Sequence, residues 1–422
     1  MYKVPKPNLA VAIASFPFLL LVIFPKGGVI SHNYFAPLVF LLSGILIAHN
    51  LTRACIRTPQ NVIIILSQIW ILSIIFFSSI LFNQTLSERA ILSGLKFVFF
   101  GAIFLSAYVA SVNISESSLA SNLNLITISI VLLQLVIVGI TLFYPSFFDP
   151  IWSSYKTRGI GQTLRSTGSM YNPNTFGLMI INLYTIIILL NRPCLKRQVI
   201  FTSIFFLLIL LSGSRTSVML FVIFMPLILV LSRIDNFTIK SLVKFSFFGF
   251  ALIVLLVYSL FLFLGTYGGT FRYIARLTQL DYQNLQVFAL SVAEQSKRYS
   301  SWISKWDHFV SAPGIAKWFI GRGVDDVFRV GDNEYFYSFW HWGAIGAIGS
   351  YLVYVSAILL CPKANQSLRL TLILVFLQLT AFGLMAETFS SWFHPVLFWV
   401  LAGIAYGNAQ KRKMISPCQK IN

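Results

Sequence analysis

Residues 61–82 read NVIIILSQIWILSIIFFSSILF, an apolar run without one charged side chain. As a helix rising about 1.5 Å per residue it is long enough to cross a hydrocarbon core of about 30 Å. Similar runs recur at 8–25, 34–49, 90–111, 123–144, 174–191, 198–212, 216–232, 244–265, 335–360, 369–388 and 391–407. The runs at 198–212 and 216–232 are short, and fit either two crossings or one tilted, re-entrant pair. The expected fold is therefore all-α: one polytopic integral membrane domain over 1–422 with about twelve transmembrane helices.

Composition agrees. Only 10% of residues are charged and 57% are hydrophobic, with 40 Phe; a soluble globular chain carries roughly 25% charge. No stretch reads as a soluble domain. The start of the chain (Lys3, Lys6, then apolar from Leu9 to Phe24) has the outline of a signal peptide. It lacks a small-x-small cleavage site before a polar mature start, so it counts as the first span. The net charge of +19 does not point to nucleic acid, because the basic residues are scattered between spans.

Their distribution instead sets an orientation. With the N-terminus inside, sixteen Lys and Arg fall in inner loops and tails, against Lys26, Arg89 and Arg215 in the short outer connections. The positive-inside rule then gives an N-in, C-in topology. Cys55, Cys194, Cys361 and Cys418 all fall on the expected cytoplasmic side, where thiols stay reduced. Lys96, inside the fourth span, reads as a snorkelling side chain.

Two outer, periplasmic loops stand out by length, 145–173 and 266–334, and long loops in compact proteins commonly carry function. The second contains Leu285, Phe288, Ala289 and Val292, then Trp302, Ile303, Trp306 and Phe309, at helical spacing. Arg298, Trp302, Lys305 and Phe309 share one face of such a helix, which suits either the outer leaflet or the protein's own surface. The first loop ends Arg165-Ser166-Thr167-Gly168, then Asn172-Pro173-Asn174, where an Asn can cap the next helix. Ser212-Gly213-Ser214-Arg215 joins two spans with almost no loop, holding a cation near the membrane surface. The second loop closes with Gly321-Arg322-Gly323 and Asp332-Asn333-Glu334-Tyr335. Asp325-Asp326 lacks the further ligands a metal site needs. His308 and His341 are candidate bases or structural residues.

Taken together these segments resemble the O-antigen polymerase and O-antigen ligase superfamily, the Wzy-type and WaaL-type membrane glycosyltransferases. The matching pieces are Arg165-x-x-Gly168-x-x-x-x-Pro173-Asn174, Ser212-Gly213-Ser214-Arg215 and Arg298-x-x-x-Trp302. They are followed by Gly321-x-Gly323 and by Asp332-Asn333-x-Tyr335, entering a span with Gly343 and Gly346. The likeness covers roughly 155–405. It implies an enzyme of the bacterial inner membrane that acts, without metal or cofactor, on undecaprenyl-diphosphate-linked glycans at the periplasmic face. Ligases of the superfamily carry His where this chain has Asp332, so the resemblance favours a polymerase of O-antigen or a related surface polysaccharide. The alternatives are a ligase moving polymer onto lipid A-core and a lipid-linked oligosaccharide flippase or other transporter. Implied partners are the lipid-linked oligosaccharide, membrane lipids and a chain-length regulator protein.

In such a reaction charge gathers on the departing diphosphate, and guanidinium groups fixed there favour the transition state. Arg165, Arg215 and Arg298 are the expected diphosphate set, with Arg322 in support. Asp332 is the expected base for the attacking hydroxyl, Glu334 the next candidate, and Asn174 and Asn333 the expected sugar-binding amides.

Overall fold

The computed structural model describes residues 58–84, 86–112, 116–144, 147, 166–170, 172–233, 297–323, 333–361, 366–384, 386, 388–389, 391 and 394–419. Among them all regular structure is helical: α1 (Pro59–Asn83), α2 (Glu88–Val112), α3 (Glu116–Phe143), α4 (Pro173–Asn191), α5 (Leu195–Ser212), α6 (Arg215–Arg233), α7 (Lys297–Ser311), α8 (Ala316–Ile320), α9 (Glu334–Leu359), α10 (Gln366–Gly383) and α11 (His394–Gln419). Eight of these, α1 to α6 with α9 and α10, are long and apolar enough to cross a membrane. The expected spans 8–25, 34–49 and 244–265 lie outside the described residues. The run 391–407 falls in α11, which is helical but is not among the eight. The short pair resolves into two separate helices, α5 and α6, of 18 and 19 residues, turned at Gly213 with φ +60°.

Local chemistry sets the helix ends. Thr58 caps α1, its hydroxyl accepting from the Asn61 amide at 3.3 Å, with Pro59 in the first turn. Asn172 does the same for α4, accepting from Asn174 N–H at 2.8 Å, and Pro173 follows it. Both use a cap whose side chain replaces a missing backbone acceptor and a proline whose absent N–H costs nothing there.

Short connections make α1 to α3 and α4 to α6 alternate in direction, and α4 runs antiparallel to α3, with Asn191 beside Asn124 and Ser166 beside Thr141, so the bundle has one end holding Asn83, Phe143 and Pro173, here called upper, and an opposite lower end. α11 runs parallel to α2. Gly403 lies against the Phe104 carbonyl and the Ala107 side chain, and Gly407 against Ser111 and the Tyr108 carbonyl. Small residues four apart let two backbones close to van der Waals distance, where lipid supplies no hydrophobic drive between helices. Trp399 and Tyr406 flank the contact edge-on to Phe104, at 6.3 and 5.5 Å between ring centres.

α9 is not one straight span. Gly343 has φ +64° and ψ −170°, outside any helix. Tyr335 and Tyr351 stack with ring centres 5.4 Å apart, although sixteen residues of straight helix would separate them by roughly 24 Å. The limb 334–342 is therefore folded back sharply from 344–359. The longer limb packs antiparallel to α1, Gly346 against Ile74 and Gly349 against Ile71 and Trp70. That register puts Gly343 about 9 Å below the upper end of α1.

Two other helices also stop short. Gln378 of α10 donates to Thr185 of α4 at 2.8 Å. Counting from that pair, Gly383 ends α10 roughly 10 Å below Pro173. Trp399 lies beside Phe104 of α2, which places His394, the start of α11, roughly 16 Å below Glu88. Among the described residues, three helix ends thus lie at membrane depth near the upper centre of the bundle. Lipid cannot hydrogen-bond a broken backbone, so such ends persist only where protein satisfies them.

Candidate functional site

The floor that these helix ends form is polar. Glu334, fully buried, accepts from the Ser338 hydroxyl at 2.8 Å and from the Thr388 amide at 2.7 Å. An ionisable group at this depth is costly unless it is paired, and the Thr388 bond ties the folded limb of α9 to the turn after α10. Beside it Asn333 caps α9, accepting from Phe336 N–H at 3.0 Å and donating its amide to the Leu384 carbonyl at 3.3 Å. Tyr335 donates to the Thr380 carbonyl at 2.7 Å. Among the described residues the buried Thr388 Oγ1 has no hydrogen-bond partner, and the rings of Tyr351 and Tyr354 pack on Phe389.

Above this floor the break in α9 is closed by the end of the second long loop. Arg322 and Gly323 donate their amides to the carbonyls of Trp340 and His341, at 2.8 and 3.1 Å. His341 Nδ1–H donates to the Gly323 carbonyl at 2.7 Å, which fixes the imidazole tautomer. Gly321 (φ +73°) abuts the backbone of His341 and Trp342, and Gly343 abuts that of Phe319 to Gly321. A Cβ at either position would strike main chain. The Arg322 guanidinium lies 6.0 Å from the centre of the Trp340 ring, within cation–π range. His308, a candidate base, is stacked on Trp340 at 6.1 Å.

A second polar cluster lies at the upper ends of α3 to α6. Ser214 caps α6, accepting from Ser217 N–H at 3.2 Å, and donates its own hydroxyl to Asn174 Oδ1 at 2.8 Å. Gly177 leaves room for Ser217, so the first turns of α4 and α6 are in contact. Ser166 N–H reaches the Leu211 carbonyl at 2.8 Å, and Ser169 exchanges hydrogen bonds with the buried Gln134 amide at 2.7 and 2.8 Å. Gly168, at φ +54°, turns against Gln134 and Phe176. Two helix N-termini, each carrying about half a positive charge, meet here.

Of the expected site residues, Asn174, Asn333, Glu334 and Arg322 take the positions just given. Arg215 is the first residue of α6 and Arg298 stands in the first turn of α7. Arg165 and Asp332 lie outside the described residues, as do Asp325 and Asp326 and the apolar positions from Leu285 to Val292; of loop 145–173 only 147, 166–170, 172 and 173 are described. Asn174 therefore binds a serine hydroxyl and Glu334 holds two donors of its own chain. Sequence reasoning passed over Thr388, Ser338, Tyr351 and Tyr354, because 335–360 and 369–388 each read as one apolar span. The available signal was Glu387, a carboxylate inside that run. Among the described residues no three His, Cys, Asp or Glu side chains gather as metal ligands would.

Compared with protein-family models and with curated proteins, the chain matches none.

Proposed function

We propose that this chain polymerises oligosaccharide units carried on undecaprenyl diphosphate, at the periplasmic face of a bacterial inner membrane, to which the upper end of the bundle corresponds. The observation that carries the reading is the pairing of segments far apart in sequence: Asn174 with Ser214, and Gly321–Gly323 with the break at 341–343. These are the segments that resemble membrane glycosyltransferases, and both pairings lie at one end of the bundle.

In this reading the converging N-termini of α4 and α6, with Arg165 and Arg215 beside them in sequence, bind the diphosphate. Arg298 and Arg322 reach it from the second loop. As the glycosidic bond breaks, charge moves onto the phosphate oxygens and these cations hold it. Asp332 accepts the proton of the attacking hydroxyl. Its neighbours Asn333 and Glu334 are spent on anchoring the start of α9, and so fix where Asp332 is delivered. The buried Glu334 is thus a positioning residue rather than a second base.

Deletion of the gene followed by gel analysis of lipopolysaccharide tests the class. A core bearing one repeat unit is expected. Bare core with lipid-linked long polymer would instead mean a ligase, and bare core without polymer a flippase. Within the class, Arg165→Lys and Arg215→Lys are expected to lose most polymerisation, because lysine cannot form the two-pronged phosphate pair. Near-normal activity in both variants removes the diphosphate assignment.

A further inference from the structure

We propose that the hairpin α7–α8 is a membrane keel, with Ile303, Trp306, Val310, Ile315 and Phe319 embedded among lipid acyl chains of the upper leaflet. α7 divides into three sectors. Phe309, wholly buried, packs against Trp340, Phe339 and Trp318 at 5.1 to 5.5 Å between ring centres. On the far side Ser304, Asp307 and Ser311 are exposed and polar. Between them lies an exposed apolar stripe, Ile303 at 44%, Trp306 at 41% and Val310 at 46%. The stripe continues onto α8 through Ile315, at 78%, and Phe319, at 52%. A helix resting on protein in water needs two sectors, one apolar and one polar; a third, apolar and uncovered, calls for a third medium.

Position identifies that medium. The end of α8 sits against Gly343, about 9 Å below the upper end of α1. α1 has 25 residues, roughly 37 Å of helix against a core of about 30 Å, so each end overhangs by only about 4 Å. The close of the hairpin therefore lies inside the hydrocarbon boundary. Two residues beyond Gly343, Ile345 is exposed on α9, followed by Ile348 and Leu352, so the apolar surface runs on from the hairpin into that of a spanning segment. The hairpin itself is held rigid by Lys317, buried, whose ammonium donates to the carbonyls of Val310 at 2.8 Å and of Ala312 at the end of α7. This face differs from the one that sequence spacing offered, since Phe309 and the half-buried Lys305 turn inward. The inference requires only that the chain spans a membrane, not that it is a polymerase.

The test is fluorescence quenching of the full chain in phosphatidylethanolamine–phosphatidylglycerol vesicles, comparing the parent with Trp306→Phe, which keeps an aromatic ring against Phe309 and Trp318. The emission lost in the variant belongs to Trp306. It is expected to fall by at least half when the lipids carry bromine on carbons 6 and 7 of one acyl chain, and to change little with iodide. Ser304→Trp in the Trp306→Phe background is expected to show the reverse. Quenching of Trp306 by iodide and not by brominated lipid would overturn the keel in favour of a water-facing surface. Quenching by neither would overturn it in favour of a protein cover, whether another segment of this chain or a second copy.

Discussion

Replacing Gly343 with alanine separates the docked loop from the rest of the bundle more cleanly than any other single change. At φ +64° and ψ −170° the residue occupies a region open essentially to glycine, so a side chain there costs about 1–3 kcal/mol in strain. The new methyl would also meet the backbone of Phe319 to Gly321, which has no rotamer with which to yield. Relief requires the loop to leave, breaking the bonds from Arg322 and Gly323 and the one from His341. Those bonds, at about 1 kcal/mol each, hold the loop down in parent and variant alike, so the shift comes from the strain and the clash that undocking relieves. Every 1.4 kcal/mol is a factor of ten, so about 1–3 kcal/mol of strain should raise the undocked population by about fivefold to a hundredfold. Limited trypsin digestion of reconstituted protein reads this, since cleavage after Lys297, Arg298, Lys305, Lys317 or Arg322 follows the open population when reclosing is fast. Gly139→Ala is the control, because a Cβ there meets nothing within 4 Å. Equal digestion rates for Gly343→Ala and Gly139→Ala would refute the claim that this break is sealed by the loop.

Glu334→Gln keeps an acceptor for the Thr388 amide and turns an N–H to Ser338, whose hydroxyl must change from donor to acceptor, so the stronger bonds of the carboxylate are lost. A loss of about 1–3 kcal/mol is expected, read as a lower aggregation temperature in detergent, and Glu334→Asp should recover less than half because its carboxylate falls one carbon short. Gly403→Val should abolish the α2–α11 contact, and size-exclusion chromatography should show aggregated rather than monodisperse protein. Burial pushes the Cys361 thiol up to about 11 from an ordinary value of 9.0, against a smaller opposing pull from Arg369. Because the shift is upward, thiolate is scarce below that value, about a hundredfold less at pH 8 than for an ordinary thiol. Maleimide should therefore label exposed Cys194 first, and the Cys361 rate should keep climbing up to pH 11 in protein that remains folded. In intact cells both cysteines should resist an impermeant maleimide if the lower end is cytoplasmic, and ready labelling of Cys194 would invert the topology.

How far the sequence could be read depends on what each run of residues encodes. Apolar length is written plainly in a stretch such as 61–82, and α1 follows it to within two residues at its start. The cap signal Asn172-Pro173 is equally direct, since capping is decided within four residues. The break in α9 was not legible, because Trp340, His341, Trp342 and Gly343 continue the hydropathy of a crossing helix. What unmakes the helix is the backbone of Phe319 to Gly321, a partner more than twenty residues away. The early end of α10 escaped for a similar reason: the turn after Gly383 is as apolar as a span apart from Glu387. Glu334 looked like a site residue because carboxylates at loop ends commonly are. Its burial adds a structural use, which depends on where Thr388 arrives in space.

The docked break also constrains how this protein can be made. The carbonyls of Trp340 and His341 exist as acceptors only after α9 has entered the bilayer and bent, yet their donors lie in a loop synthesised earlier. The preceding loop must therefore wait, its docking site not yet made, until a later segment arrives to complete it. Completion of this end of the bundle is thereby timed by insertion of α9, and a chain stalled before residue 340 should leave that loop open to proteases.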